Sequence, residues 1–531
     1  MIRIRDIVLT PEQDESQLLY LAASALGIPA NRIASMQIRK KSIDARKKPE
    51  IRILYTLDVA LHSGERQVLR RCRRAEPVRE QFYKPPKAAA QPDRRPVVVG
   101  FGPAGMFAAL VLAEAGLRPI VLERGDDAVS RREKVERFWQ TGQLDPESNV
   151  QFGEGGAGTF SDGKLNTGIR DERIAWILRQ MVRAGAPEEI LYDAKPHVGT
   201  DYLVTVVQNL RKRIEKRGGE VRLRHQLTRI LCRDGQVCAA EVRTPEGDRC
   251  LDCDHLLLAP GHSARDTFAM LQATGAALEP KPFAMGVRIE HKQRSVDDAQ
   301  YGRARANLPA AAYKLACHLP DGAGVYTFCM CPGGSVVAAA SEDGGVVTNG
   351  MSLHARDGEN ANSALLVSLP VKDFPDPSPL GGMAWQREIE RQCFRAGGGD
   401  YRAPAQTVGD FLAGRPTESF GAVAPSYLPG VTPCDLHAVL PERITVALKE
   451  ALPILGGQMP GFDDPEAVLT APETRSSSPV RIVRGDDRQS LLRGLYPCGE
   501  GAGYAGGIIS AAVDGMRSAE ALIERLNKTT R

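Results

Sequence analysis

The first residues whose types and spacing could do chemistry are Gly100, Gly102 and Gly105, a G-x-G-x-x-G run that also holds Pro103 and Ala104 and is answered by Glu123. In such a run the first glycine permits a tight turn, the second lets backbone reach a pyrophosphate, and the third lets a helix pack closely on a strand. The helix N-terminus that follows attracts the anion. A carboxylate about twenty residues on can accept hydrogen bonds from a ribose diol. That chemistry is dinucleotide binding, and by itself it does not separate FAD from NAD.

Two further segments favour FAD. Residues 151–165, QFGEGGAGTFSDGKL, gather five glycines, Gly156 and Gly158 among them, around Thr159 and Ser161 and end on Lys164 and Leu165. That composition suits backbone lying against a flat ring and phosphates. Near the C-terminus, Gly499-Glu500 follows a short apolar run and Gly506-Gly507-Ile508 opens a helix. A helix N-terminus aimed at a flavin stabilises the negative charge that builds on reduction. A second literal G-x-G-x-x-G spans 501–506, but only 25 residues follow it. A β-α-β unit with its ribose acid needs about thirty. No separate NAD(P)H domain is therefore expected, and the flavin's reductant is either the substrate or a nicotinamide bound transiently.

On the substrate side stand His262, Arg288, His291 and Arg475. A histidine titrating near neutrality could move a proton while a flavin takes a hydride. Arg475, among the hydroxyls of ETRSSSPV, suits an anionic group. Cys329 and Cys331 end an apolar run, 325–331, and strand alternation would put both thiols on one face. Their Cα atoms would lie about 6.5–7 Å apart on an extended strand, at the upper edge of disulfide geometry. Redox pairing and acid chemistry beside a flavin are open to them; small buried hydrophobes is the plainer expectation. Cys250-Leu-Asp-Cys253 is a lone C-x-x-C without a second pair at zinc spacing, so no metal is expected.

These residues must be positioned by recognisable elements. Apolar runs at 97–99 and 119–122 flank a small-residue helix at 104–115, giving the β-α-β unit. A helix at 202–217, a strand at 221–230, a hairpin over 237–251 and an apolar strand at 255–259 follow. Residues 1–62 alternate as strand, helix, strand, strand, a small α+β module suited to structure or docking. The stretch KPPKAAAQPDRR (84–95) suits an exposed linker. The division that follows is a small N-terminal domain and linker at 1–92, a cofactor domain at 93–279 completed by 481–531, and an inserted mixed α+β substrate domain at 280–480.

The GFGPAG…LERG opening, the GEGGAGTFSDGKL segment and the CGEGAGYAGGIISAAVDG ending resemble a bacterial family of uncharacterised FAD-dependent dehydrogenases, within the larger group of flavoproteins similar to glutathione reductase. LLLAPGHSARDTF, PKPFAMGVRIEH, FCMCPGG, NGMSLHARDGENANSALLV and ETRSSSPVRI extend the resemblance over most of the chain from Pro96 onward. It implies an α/β fold with a Rossmann-type, glutathione-reductase-like FAD domain. It also implies that Gly100, Gly102, Ala104 and Gly105 hold the pyrophosphate of a non-covalent FAD, Glu123 the adenosine ribose, Leu227 the adenine through its backbone, and Glu500 the ribityl-phosphate region, with Gly507 and Ile508 near the isoalloxazine. Pro103, Arg124 and Gly261 lie within the same blocks and are assigned to the cofactor too. The chain has Ala259-Pro260-Gly261 where the wider group often has Ala-Thr-Gly. The reaction implied is a hydride or electron-pair transfer between a small organic substrate and FAD, with an unidentified electron partner. Reduction of an unsaturated lipid-like substrate, or a non-catalytic FAD-binding or docking role, are the alternatives.

Composition sets the outer bounds. The 531 residues are too many for one core, and 42% apolar with 25% charged residues is ordinary for a globular chain. A net charge of +4, with Arg39, Lys40, Lys41, Arg46, Lys47 and Lys48 clustered without aromatics, reads as solvated surface, so no nucleic-acid partner is expected. No apolar run reaches the eighteen or so residues of a membrane span, no signal peptide opens the chain, and eleven scattered cysteines read as reduced thiols; the expectation is a cytoplasmic protein.

Overall fold

Strand Val97–Val99 is buried along its whole length and forms the middle of a parallel five-stranded sheet. The order is Leu495–Pro497, Leu256–Leu258, Val97–Val99, Ile120–Glu123, Glu220–Leu223, so a strand from near the C-terminus completes a sheet begun near residue 97. Both faces are covered, as an all-parallel sheet requires. The computed structural model describes residues 1–48, 50–79, 82–302 and 307–529.

Helix Pro103–Glu114 starts with proline at its first position and is apolar all round, so it is a buried helix by composition. It crosses the closing helix Ile508–Thr529 at very close range: a Cβ on Gly515 would sit 2.1 Å from the carbonyl oxygen of Ala104. The long apolar stripe of Thr200–Lys216 packs on the same layer. The run expected as one strand at 221–230 is two. Arg224 turns with φ +58 and passes the chain from the parallel sheet into a separate three-stranded antiparallel sheet, Gly247–Asp252, Gln236–Thr244, Gln226–Arg233.

Residues 283–473 build a seven-stranded sheet in the order Ala316–His318, Gly324–Cys331, Asn360–Leu369, Phe283–Lys292, Val468–Glu473, Ala403–Thr407, Val431–Pro433. Its core face, with Met285, Val287, Ile289, Leu365 and Val367, packs on helices such as Glu442–Gln458. The opposite face, reached by Arg288, Phe328 and Glu473, fronts the carboxyl ends of the parallel strands.

The first 77 residues form a β-α-β-β-α-β unit with strand order Ile33–Asp44, Arg52–Leu61, Ile2–Leu9, Ala75–Pro77, all antiparallel, the split β-α-β arrangement. It docks by two backbone hydrogen bonds, Lys41 N to Tyr192 O at 2.8 Å and Ala194 N to Lys41 O at 2.9 Å. The stretch expected as an exposed linker, 84–95, holds no buried residue, and it is fastened at several points along with Tyr83 before it. Tyr83 donates to Glu520 and stacks edge-on against Trp176, while Ala89 N donates to Asn527 Oδ1 at 2.7 Å. Its prolines deny it regular structure, yet side chains of two helices supply the partners.

Gly515→Ala tests the helix crossing. Alanine would gain about 1 kcal/mol of helix propensity over glycine, but a methyl 2.1 Å from a backbone carbonyl forces the helices apart, an overpacking cost of about 1–3 kcal/mol. A net loss of stability in chemical denaturation is expected. Gly457→Ala, whose Cβ would meet nothing within 4 Å in helix Glu442–Gln458, should instead stabilise. Equal gains at both positions would show that the crossing has slack.

Candidate active site

One deep cavity crosses the carboxyl ends of the parallel strands and reaches the seven-stranded sheet. The N-termini of two helices open into it, through Gly102, Pro103 and Ala104 on one side and Gly507 and Ile508 on the other. At one end lie Glu123, Arg124, His225, Gln226 and Leu227; at the other lie Lys164, Phe328, Cys329, Asn349, Glu473 and Arg475.

The cavity floor is built from backbone at contact distance. A Cβ on Gly105 would meet the carbonyl oxygen of Gly100 at 1.9 Å, and a Cβ on Gly156 would meet Gly102 Cα at 2.8 Å. The latter contact joins the fingerprint turn to the glycine-rich segment and leaves a cradle no side chain fills. Glu123 fixes the turn from below, accepting from Phe101 N at 2.8 Å and from Gly125 N and Gly153 N at 3.0 Å each. Arg124 lines the cavity, but its guanidinium is held by Glu147 and Asp266 and lies 4.1 Å from the Phe152 ring centroid.

Of the residues assigned to a cofactor from sequence, Gly100, Gly102, Pro103, Ala104, Glu123, Arg124, Gly156, Gly158, Ser161, Lys164, Leu227, Gly261, Gly499, Glu500, Gly506, Gly507 and Ile508 all line this cavity. Gly105 and Thr159 do not. Gly105 is buried in the helix against Gly100, and Thr159 is buried with its hydroxyl turned to the Glu154 carbonyl. Both shape the wall from behind.

The substrate-side assignments fare differently. His262 reaches the cavity, but burial, with Arg475 and Arg265 beside it, lowers its pKa to about 3, so it stays neutral and does not titrate near neutrality. His291 lies away from the cavity, wedged against Phe462 and donating Nε2–H to the Phe462 carbonyl at 2.8 Å. Arg288 is fully buried behind the wall, its Nε 2.8 Å from Glu473, with further bonds to Asn349, Asn362 and the Cys329 carbonyl. Arg475 does line the cavity, yet Glu390 takes it bidentately at 2.9 and 2.8 Å. Arg265 shares the same carboxylate, and although burial alone would raise Glu390, the two cations hold it well below the usual carboxylate range. Arg475 is thus a wall element already neutralised, not a free anion receptor.

Strand alternation fails at Cys329. Pairing runs regularly to Phe328↔Ala364 and resumes at Cys331↔Asn362, so the strand bulges, and Cys329 takes φ +44. The Cys329 side chain faces the cavity while Cys331 is wholly buried. The expectation of two core thiols therefore holds in burial for Cys331 alone. A hydrogen bond from the Cys331 thiol, with the charges of Lys164 and Arg288, outweighs burial and holds Cys329 well below the ordinary thiol range. Glu500, at the other lip, is pushed by burial up to about 7.

The sequence reading missed Asn349, Glu473 and Phe328 in the wall and Glu390 behind it. The first three stand inside blocks already singled out, NGMS, ETRSSSPV and FCMCPGG. Among the described residues no group of three or more His, Cys, Asp or Glu is placed to hold a metal ion, and no helix is long and apolar enough to cross a membrane.

Comparison with known proteins gives the site its context. Residues 282–476 match a family model described as FAD-dependent protein, C-terminal domain-like, and residues 1–60 match a domain of unknown function. An uncharacterized protein of Clostridium beijerinckii is 46% identical over 533 residues, covering 99% of each chain. Among solved structures, the myxobacterial chondrochloren halogenase, an FAD-dependent halogenase, aligns over 84% of this chain and 76% of its own at 13% identity, TM-score 0.38. Glycerol-3-phosphate dehydrogenase from Bacillus halodurans, complexed with FAD, aligns over 82% and 65% at 11% identity, TM-score 0.35. Likenesses that loose carry no weight for the reaction, whereas the end-to-end identity with the Clostridium protein does for kinship. The chain belongs to an uncharacterised family of FAD-dependent proteins, and FAD is its cofactor.

Proposed function

We propose that the protein is an FAD-dependent dehydrogenase that moves a hydride or electron pair between a small organic substrate and FAD, on a glutathione-reductase-like scaffold. The observation that carries this reading is the single cavity running from Glu123, past two helix N-termini, to the polar wall of Lys164, Cys329, Asn349 and Glu473. Gly100, Gly102 and Ala104 would hold the pyrophosphate with the helix N-terminus behind them. Glu123 and the Leu227 backbone would hold the adenosine, and Gly156, Gly158, Gly507 and Ile508 would flank the ring. FAD, when bound, supplies the two-electron chemistry. The protein's part is to orient, to exclude water and to manage protons. His262 stays neutral, and the Glu500 carboxyl, titrating near 7, can hold or release a proton inside the cavity. The eleven free thiols suit a reducing, cytoplasmic setting.

The direct experiment is cofactor content. Purified protein should be yellow and release FAD on denaturation; a supernatant holding only NAD would overturn the assignment. Gly102 has φ −77, and a Cβ there would touch nothing closer than Gly156 Cα at 3.6 Å, so the backbone accepts a side chain and Gly102→Val would put a branched one in the pyrophosphate's place. Full FAD retention by that variant would mean the phosphate loop lies elsewhere.

Glu500 sets a pH dependence. Its pKa is raised to about 7, so below that pH the neutral carboxyl can donate to an anionic cofactor, and above it the carboxylate repels one. FAD affinity should fall as pH rises through neutrality in wild type and stay level in Glu500→Gln. A flat wild-type profile would remove Glu500 from the phosphate side. The five-stranded sheet is the one parallel β-α-β sheet among the described residues, so NADH and NADPH should reduce the flavin slowly and without saturation. Fast, saturable traces in stopped flow would reveal a nicotinamide site.

A further inference from the structure

The bulge at Cys329 is an engineered-looking irregularity in an otherwise regular sheet, and its neighbours give it a chemical use. Arg288 Nη1 holds the Cys329 carbonyl at 3.0 Å, and Ser363 Oγ holds the Phe328 carbonyl at 3.2 Å, so the turn is pinned from two strands. Arg288 is itself fixed by Glu473 and is fully buried. A left-handed conformation at a cysteine is strained and persists only where surroundings over-determine it. The result is that Cys329 turns into the cavity beside Phe328, Asn349 and Glu473, while the Cys331 thiol stays behind it and donates to the Cys329 carbonyl oxygen at 3.3 Å.

From the facing wall comes Lys164. Its ammonium is shut off from solvent and makes no hydrogen bond; Asp162 Oδ2, at 3.1 Å, is its ion partner. Arg356 already occupies Asp162 bidentately, at 3.0 and 2.5 Å. A buried ammonium with a shared, poorly aligned counter-ion is costly unless further negative charge lies nearby, and an anion on the cysteine pair, with Cys331 and Cys329 both beside Lys164, is that charge. Burial pushes the other deeply buried thiols, Cys393 and Cys498, up, and at Cys498 the charges of Arg484 and Arg488 do not offset it, as for inert core cysteines.

Resting on the reading of the protein as an FAD-dependent oxidoreductase, we propose that Cys329 and Cys331 are a reversible dithiol–disulfide pair that passes two electrons between the bound FAD and an external disulfide, with Cys329 as the attacking sulfur. The external disulfide enters at Cys329: the thiolate attacks one of its sulfurs, a mixed disulfide forms and one thiolate leaves. Cys331 then gives up its proton and attacks the Cys329 sulfur, the internal S–S bond forms and the second thiolate leaves. Two electrons from reduced FAD break that bond, Cys331 takes a proton, Cys329 returns as thiolate, and FAD is left oxidised. Reduced FAD is thus the electron donor to the pair and the external disulfide the acceptor, and FAD is itself reduced by the organic substrate.

Anaerobic dithionite titration of the FAD-loaded full chain should consume about four electrons per FAD, two for the cofactor and two for the pair. Cys329→Ser and Cys331→Ala should each halve that uptake while keeping FAD. Peptide mapping of oxidised protein should find the 329–331 peptide refractory to alkylation and lighter by two hydrogens than after reduction. Lys164→Met should move the midpoint of the pH profile for alkylation of reduced Cys329 upward, toward that of an ordinary thiol. Uptake of two electrons by wild type, with both cysteines alkylated after oxidation, would overturn the pair. Mapping after treatment with a thiol oxidant such as diamide needs no flavin, so a chain that forms the bridge yet holds no FAD would sink the oxidoreductase reading and leave the dithiol standing.

Discussion

The carbonyl oxygen of Ala104 sits where any side chain on residue 515 would have to be, and that contact governs the rest of the molecule. It lets helix Pro103–Glu114 and helix Ile508–Thr529 cross with their backbones almost touching, although four hundred residues separate them in sequence. Because the first of these helices is tied by Gly105 to the turn at Gly100, the crossing brings two helix N-termini to one cavity. Each terminus presents unsatisfied N–H groups and partial positive charge. A site with this field attracts an anionic cofactor before any side chain is counted. The same crossing explains why the parallel sheet takes its edge strand Leu495–Pro497 from near the C-terminus: the chain must return there to seat the closing helix.

The opposite wall is held by buried charge instead of backbone contact. Arg288 with Glu473, and Glu390 between Arg265 and Arg475, are ion pairs with side chains almost inaccessible to water. Such pairs gain little net stability over apolar packing, but breaking one costs about 3–5 kcal/mol because the remaining charge is stranded. Their effect is to specify one arrangement: Glu473 comes from the strand Val468–Glu473, Arg288 from Phe283–Lys292, and Glu390 from helix Gly381–Gly397. The sheet that faces the cavity is thereby locked in register at its rim.

This division explains what the sequence disclosed. The β-α-β unit, Glu123 and the C-terminal glycines were legible because phosphate-loop chemistry is local, and each residue's task follows from its spacing to near neighbours. The first strand, helix, strand, strand of the N-terminal module were legible as alternation, though not its second helix Glu65–Arg71, its fourth strand Ala75–Pro77, its strand order or its docking through Lys41. The seven-stranded sheet was not legible, since strands Phe283–Lys292 and Asn360–Leu369 are buried on both faces and show no period of two. Arg288 and Arg475 looked available because their carboxylate partners lie 185 and 85 residues away. His262 and His291 looked titratable because sequence does not report desolvation. The bulge at Cys329 left no local mark either: FCMC alternates as any strand would, and the turn is imposed by Arg288 and Ser363.

Charge balance links the two ends of the cavity. Cys329 is favoured as an anion by its neighbouring thiol and two cations, while Glu500 is held near neutrality by burial, and the Cys329 charge pushes it the same way. Lys281 pulls in the other direction but is itself buried enough that its own ammonium is disfavoured. A cavity of low dielectric tolerates one such negative charge far better than two. Oxidation of Cys329 to a disulfide removes its anion, and Glu500 is then freer to ionise; reduction restores the anion, and Glu500 is driven back toward its proton-bearing form. Electron arrival on one wall and proton uptake on the other are thus joined by electrostatics across the space the flavin ring would share, with no residue having to move.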